Sequence, residues 1–248
     1  MSEKWSKMSK KEQKMLKKWS KMNKNEQKKA ILKKIQNQNI ITIIGGSSII
    51  IFIICLILMT SMPFNSKKIV LMGDSITQSW SSYSAGFFEN NSYLINKGIS
   101  GETTPEMLAR FDNDVIGQNP DVVIILAGIN DIAQNTGYRS VPDIFKNIVD
   151  MVSLAKAAEI TPVICSVLPA NVLPWREEVS PADLVIELNL MLKDFCAEKN
   201  IIYVDYFSEM VGLEKELRKE LTYDGIHPDK NGYLVMEKIL LDVVKKLF

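Results

Sequence analysis

The chain has 248 residues, 46% of them hydrophobic and 24% charged, with 30 Lys and Arg against 29 Asp and Glu. That balance excludes a wholly disordered chain, a collagen and a multi-span channel. Three Cys exclude a disulfide scaffold, and a single His excludes a His-cluster metal site.

The near-neutral total hides a split. Residues 1–39 carry 13 Lys and only Glu3, Glu12 and Glu26 as acids; residues 40–248 carry 17 basic and 26 acidic residues. A basic head, an uncharged middle and an acidic body point to a membrane or polyanion near the head. The head also repeats itself. Residues 4–14 read KWSKMSKKEQK and residues 18–28 read KWSKMNKNEQK, a period of 14. No Gly or Pro interrupts residues 1–39, so a helix is allowed. At about 100° per residue, Trp5, Met8, Met15, Leu16, Trp19 and Met22 share an arc of about 120°, with Lys7, Lys10, Lys14, Lys17, Lys18 and Lys21 on the other side. The expectation is an amphipathic helix on an anionic inner leaflet, or else a solvated tail that only enforces topology. A coiled coil would be short, and nucleic acid is disfavoured by the apolar span that follows.

Between Lys34 and Lys67 there is no charge, and Ile49–Met59 is unbroken apolar. As a helix, residues 40–62 would reach roughly 34 Å, against about 30 Å for a hydrocarbon core. A cleaved signal peptide would need a short leader and a small-residue cut site; the leader here is 39 residues and Thr60-Ser61-Met62-Pro63 is a poor site. Residues 40–62 are therefore read as an uncleaved transmembrane signal anchor, with residues 63–66 as a linker. The Lys excess places the head in the cytoplasm and the body on the outer side of the cell membrane.

Residues 67–248 alternate apolar runs with helical patterns. Strands are expected at Lys68–Met72, Tyr93–Asn96, Val122–Ala127, Thr161–Ser166 and Ile201–Val204, each continuous enough for a parallel strand covered on both faces. Helices are expected at Thr104–Val115, Val141–Ala158, Pro181–Lys199 and Lys230–Leu247, with Pro105, Pro142 and Pro181 near their starts. The alternation predicts a doubly wound α/β domain with ligands at the carboxyl ends of the strands.

Unusual residues follow those strand ends: Gly73-Asp74-Ser75, Gly98-Ile99-Ser100-Gly101-Glu102-Thr103-Thr104 and Gly128-Ile129-Asn130-Asp131. Asp224-Gly225-Ile226-His227-Pro228 precedes the last helix. Singly, each reads as a turn, a cap or a surface loop. Together they supply the parts of an acyl-transfer site. Ser75 can be a nucleophile, and His227 is the one imzidazole-bearing residue that could activate it. Asp224 can hold the other ring nitrogen. The Ser75 N–H, a glycine N–H from the second loop and the Asn130 amide can converge on an oxyanion. Asp131 reads as a structural turn residue, Gly98 as a turn at a strand end, and Cys165 and Cys196 as buried free thiols. Trp80, Tyr83 and Trp175 lie in loop-like stretches, where they could pack or form a platform.

With these four blocks in order over residues 67–248, the chain resembles the SGNH (GDSL-type) hydrolases. The resemblance implies a flavodoxin-like three-layer α/β/α sandwich with a five-stranded parallel sheet. It implies Ser75, His227 and Asp224 as the triad, and Ser75, Gly101 and Asn130 as the oxyanion hole. The expected activity is carboxylic ester hydrolysis, removing short acyl or acetyl groups from a carbohydrate or related ester, with no cofactor and no metal. A lysophospholipase, a thioesterase or an O-acyltransferase of the same fold is the alternative, and a non-catalytic tethered module would not need the intact site.

Overall fold

The computed structural model describes residues 9–19, 21–36 and 67–247. The expected signal anchor at residues 40–62 and the linker at 63–66 lie outside the described residues. Among the described residues, no helix is long and apolar enough to cross a membrane. The chain divides into two compact units, residues 1–64 and 65–248.

The described part of the head is not one helix. It forms α1, Lys10–Trp19, and α2, Lys24–Gln36. The break falls at Lys21–Asn23, inside the stretch expected to be continuous. Its cause is a capping box: Asn23 Oδ1 accepts from the Glu26 N–H at 3.0 Å, and the Asn23 N–H donates to the Glu26 carboxylate at 2.9 Å. Ser9 and Glu12 occupy the same places in the first repeat, and α1 begins right after Ser9. The 14-residue period is thus a repeat of helix starts.

The body builds five parallel strands: β1 (Ile69–Gly73), β2 (Leu94–Gly98), β3 (Val122–Leu126), β4 (Thr161–Cys165) and β5 (Ile202–Val204). Their order in the sheet is β2-β1-β3-β4-β5. Every residue of β1 and β3 is buried, which requires cover on both faces, whereas the edge strands β2 and β5 are partly open. Helices α3 (Ser75–Tyr83), α4 (Ala85–Asn90), α5 (Thr104–Asp114), α6 (Ile129–Ile132), α7 (Val141–Ala157), α8 (Ala182–Lys199), α9 (Tyr206–Met210) and α10 (Lys230–Leu247) complete the body. Helix α7 packs between α5 and α8, while α10 packs on α3 and α9. Pro105 and Pro142 sit in the first turns of α5 and α7, where their missing N–H costs nothing.

The strand and long-helix expectations hold to within two residues at each boundary. The short helices were not expected. In particular, α3 occupies a stretch read as loop. Its Trp80 is 3% exposed, stacked on Phe87 at 5.8 Å and on Tyr233 at 5.7 Å, so it is a core residue. Cys165 and Cys196 are buried free thiols, as expected.

Two residues at the strand ends set how close the site loops can come. Gly98 ends β2 and is not a turn glycine; a Cβ there would lie 2.1 Å from the backbone N of Gln78 in α3. Its missing side chain lets helix and strand touch. Asp74 is the N-cap of α3, accepting from the Ile76 N–H at 2.9 Å, and is 1% exposed. Burial raises its carboxyl from the ordinary 3.8 to about 6, against the opposing pull of the Ile76 N–H and of His227.

Two outcomes follow. Gly98→Ala should destabilise the body by about 1–3 kcal/mol or more, since backbone rather than a flexible side chain must move; urea unfolding measures it. Because the folded state holds the Asp74 proton more tightly than the unfolded chain, ionising it costs stability as pH rises from 3.8 to about 6. Asp74→Asn keeps the cap acceptor and removes that loss. Relative to wild type it should gain on the order of 2–3 kcal/mol between about pH 4 and pH 7. An equal stability difference at both pH values would contradict the burial of an ionisable Asp74.

Candidate active site

Strands β2, β1 and β3 are neighbours and all run the same way, so the turns after them open on one edge of the sheet. Those turns carry Gly101, Ser75 and Asn130. Ser75 is the first residue of α3, held there by the Asp74 cap. The preceding Gly73 also needs its missing side chain: a Cβ would sit 2.0 Å from Thr77 Oγ1. Asn130 is in the short helix α6, which starts after Gly128 at φ 126°, and is 4% exposed. Gly101 has φ 80° and open space where a Cβ would be. The glycine is therefore required by the backbone conformation and not by a close neighbour.

The fourth segment comes from just before α10. Ser75 Oγ lies 2.9 Å from His227 Nε2, and His227 Nδ1 lies 2.6 Å from Asp224 Oδ2. The other Asp224 oxygen accepts the backbone N–H groups of Ile226 at 2.9 Å and His227 at 2.7 Å. One carboxylate thus shapes the loop with one oxygen and orients the ring with the other. Burial works to raise the Asp224 carboxyl, but the His227 N–H, the ring and the Ile226 N–H outweigh it and hold it below its ordinary value. Thr222 closes the same turn by donating to the His227 carbonyl at 2.6 Å. Gly225, at φ 90°, permits the reversal between acid and base.

The turns are also tied to each other, in part by Arg110, which the sequence did not single out. The Asn130 amide donates to the Glu102 carbonyl at 3.0 Å, linking the third block to the second. Arg110 on α5 donates to the Gly73 carbonyl at 3.1 Å, to the Lys97 carbonyl at 2.9 Å and to Asp114 at 2.8 Å, and it pairs with the Glu102 carboxylate. It therefore grips the ends of β1 and β2 and the Gly101 loop at once. Asp131 is a buried anchor: the Thr104 N–H and hydroxyl donate to it at 2.8 and 2.7 Å, and Arg139 lies 3.2 Å away. Burial pushes its carboxyl up. A structural role for Asp131 agrees with the expectation from the sequence. Arg110 carried no local signal beyond its place in a helix; its partners lie up to 37 residues away.

The mouth is aromatic. Tyr223 stacks on the His227 ring at 5.8 Å and on Tyr83 at 6.1 Å, and Trp175 tilts toward His227 at 6.3 Å. Tyr83, Tyr223 and Trp175 are 41%, 57% and 44% exposed, unlike Trp80. Beside the His227 loop runs a groove of about 630 Å³ whose walls include Val172, Leu213, Leu217, Thr222, Tyr223 and Gly225. Among the described residues no His, Cys, Asp and Glu cluster could hold a metal. What the arrangement can do chemically is move a proton from a serine hydroxyl to an imidazole whose tautomer a carboxylate sets.

Known proteins resemble this chain in sequence and in fold. Residues 71–235 match the model of the GDSL-like lipase/acylhydrolase family. An acetylxylan esterase of Geobacillus stearothermophilus is 25% identical over 155 residues, 60% of this chain and 70% of that protein. The crystal structure of a GDSL-like lipase from Bacteroides thetaiotaomicron is 39% identical and superposes with a TM-score of 0.72, covering 74% of this chain and 90% of that one. The Geobacillus acetylxylan esterase structure, at 22% identity, shares the fold with a TM-score of 0.58 over 71% of this chain and 93% of its own. A five-stranded parallel α/β body with all four blocks at one sheet edge, matched by the family model over most of its length, makes this chain a member of the GDSL-like lipase/acylhydrolase family and a carboxylic ester hydrolase.

Proposed function

We propose that this esterase is tethered to the cell membrane and removes short acyl groups, acetyl foremost, from a carbohydrate or a related oxygen ester. Ser75 attacks the ester carbonyl, and His227 takes its proton and returns it to the departing alcohol. Asp224 orients the ring and stabilises the imidazolium. The Ser75 N–H, the Gly101 N–H and the Asn130 amide receive the oxyanion. Water then attacks the acyl-serine, with His227 again the base. The observation that carries the reading is the continuous line Ser75 Oγ, His227 Nε2, His227 Nδ1 and Asp224 Oδ2, with contacts of 2.9 and 2.6 Å. The preference for acetyl on a sugar is supported by the similarity to an acetylxylan esterase and by the exposed aromatics around His227, which suit a sugar face.

Membrane attachment rests on the uncharged stretch at residues 40–62 and on the 13 Lys that precede it. The head, residues 1–39, then lies in the cytoplasm, and the hydrolase domain lies on the outer side.

With p-nitrophenyl acetate and the full-length chain, Ser75→Ala should lower kcat by several orders of magnitude without changing the fold. Asn130→Ala should cost roughly 10²–10³-fold. His227→Gln should be inactive at every pH, because the chain has one His and no spare imidazole. Asp224→Asn should cost less, since it disturbs the ring without removing the base. An unchanged kcat in Ser75→Ala would move the nucleophile elsewhere. A series of acyl lengths on the same alcohol tests the substrate class: rates should fall beyond the shortest acids, and a preference for long chains would favour a lipid ester.

Topology is tested separately. Full-length protein should require detergent for extraction, and protease added to spheroplasts should cut the body while sparing the head. Cutting of the head with protection of the body would reverse the orientation.

A further inference from the structure

Asn135 lies in the turn after α6, five residues beyond Asn130, and every polar atom of its side chain is engaged. Its Nδ2 donates to Asn130 Oδ1 at 3.0 Å and to the Gly101 carbonyl at 3.3 Å. Its Oδ1 accepts from Trp175 Nε1 at 3.1 Å. Its backbone N–H donates to the Asn130 carbonyl at 3.0 Å, which holds the turn under the side chain. One amide thus touches both of the residues that, with Ser75, were assigned to the oxyanion pocket, and it bridges the loops after β2 and β3.

An asparagine amide has two faces of opposite polarity. An oxyanion is stabilised by Asn130 only if Nδ2 points at it; a flipped amide would present a lone pair and repel it. Two contacts oppose the flip. The Glu102 carbonyl accepts from Nδ2, and Asn135 donates to Oδ1. The same Asn135 nitrogen also donates to the Gly101 carbonyl, which ties its turn to the loop after β2. Trp175, at the mouth, holds Asn135 by its acceptor and so leaves its two donors aimed inward.

We infer that Asn135 is a positioning residue of the oxyanion pocket, which sets the polarity of the Asn130 amide. This rests on the oxyanion assignment made under Proposed function. Asn135 is exposed in the free enzyme, so water competes for its bonds and its contribution to folding is small. Once an ester covers the mouth, water is excluded and the same bonds strengthen where charge develops. Its loss should therefore appear in turnover and not in stability or in ground-state affinity.

The test is a double-mutant cycle on the full-length chain with p-nitrophenyl acetate. Asn135→Leu keeps roughly the same volume, adds no charge and removes the donor to Asn130 Oδ1. It should lower kcat by about tenfold or more, with KM and the unfolding midpoint nearly unchanged. Placed on Asn130→Ala, the same substitution should change kcat by less than about twofold, because the group it positions is gone. Equal losses in both backgrounds, or no loss on the native background, would overturn the inference while leaving the oxyanion assignment standing. No loss in Asn130→Ala itself would overturn the assignment, and this inference with it.

Discussion

Strand β1 is hydrogen-bonded along both edges, to β2 on one side and β3 on the other, with all three parallel. The site depends on that shared strand. In a parallel sheet the carboxyl ends of neighbours lie side by side, and here the chain departs to opposite faces from the middle of the sheet, which opens a crevice at its edge. Register does the rest. Gly73 is level with Gly98 and with Leu126, so the three turns begin at the same height. Two glycines at that level, Gly73 and Gly98, allow α3 to approach the strands closely enough for its first residue to face both neighbouring turns. Arg110 then locks the level by binding the carbonyls of Gly73 and Lys97 with one guanidinium.

The carboxylates around this crevice have different environments. Asp74 and Asp131 are almost wholly buried and have raised affinities for their protons; Asp224 is more open and holds its charge. The first two use their oxygens to fix backbone, as the cap of α3 and as the acceptor for Thr104. The third divides its oxygens between its own loop and the His227 ring. Burial is thus greatest where the carboxyl has a purely architectural task and least where a full negative charge faces an imidazole.

The sheet was legible because central parallel strands must be apolar on both faces, and runs such as Val122–Leu126 and Val163–Cys165 have no polar interruption. The site blocks were legible because their residue types are rare and fall after those runs. Helix α3 was not, although Asp74 before Ile76 and Trp80, four residues apart, is a helix start of the ordinary kind; the serine in the turn masked it. Trp80 and Tyr83 look alike in sequence and both touch Tyr233 of α10; Phe87 and Phe88 of α4 also enclose Trp80, while Tyr83 stays 41% exposed. Arg110, Glu102 and Asn135 each make at least one contact 13 or more residues away in the chain, a distance at which local patterns carry no information. In the head, the periodicity of apolar residues suggested one continuous helix, and the Asn23 cap, a short-range polar signal, overrode it.

The contact between Ser75 and His227 spans 152 residues of chain. Synthesis runs from the amino end, so on the proposed mechanism the serine exists as an ordinary alcohol while almost all of the sheet is being made. Its base arrives only with the loop before the final helix, and that loop is fixed in turn when α10 packs on α3. A ribosome-bound chain that stops short of this helix would carry the nucleophile without its positioned base. Activity is in that sense set by chain order: the nucleophile is made early, and its base joins it only when α10 can pack on α3.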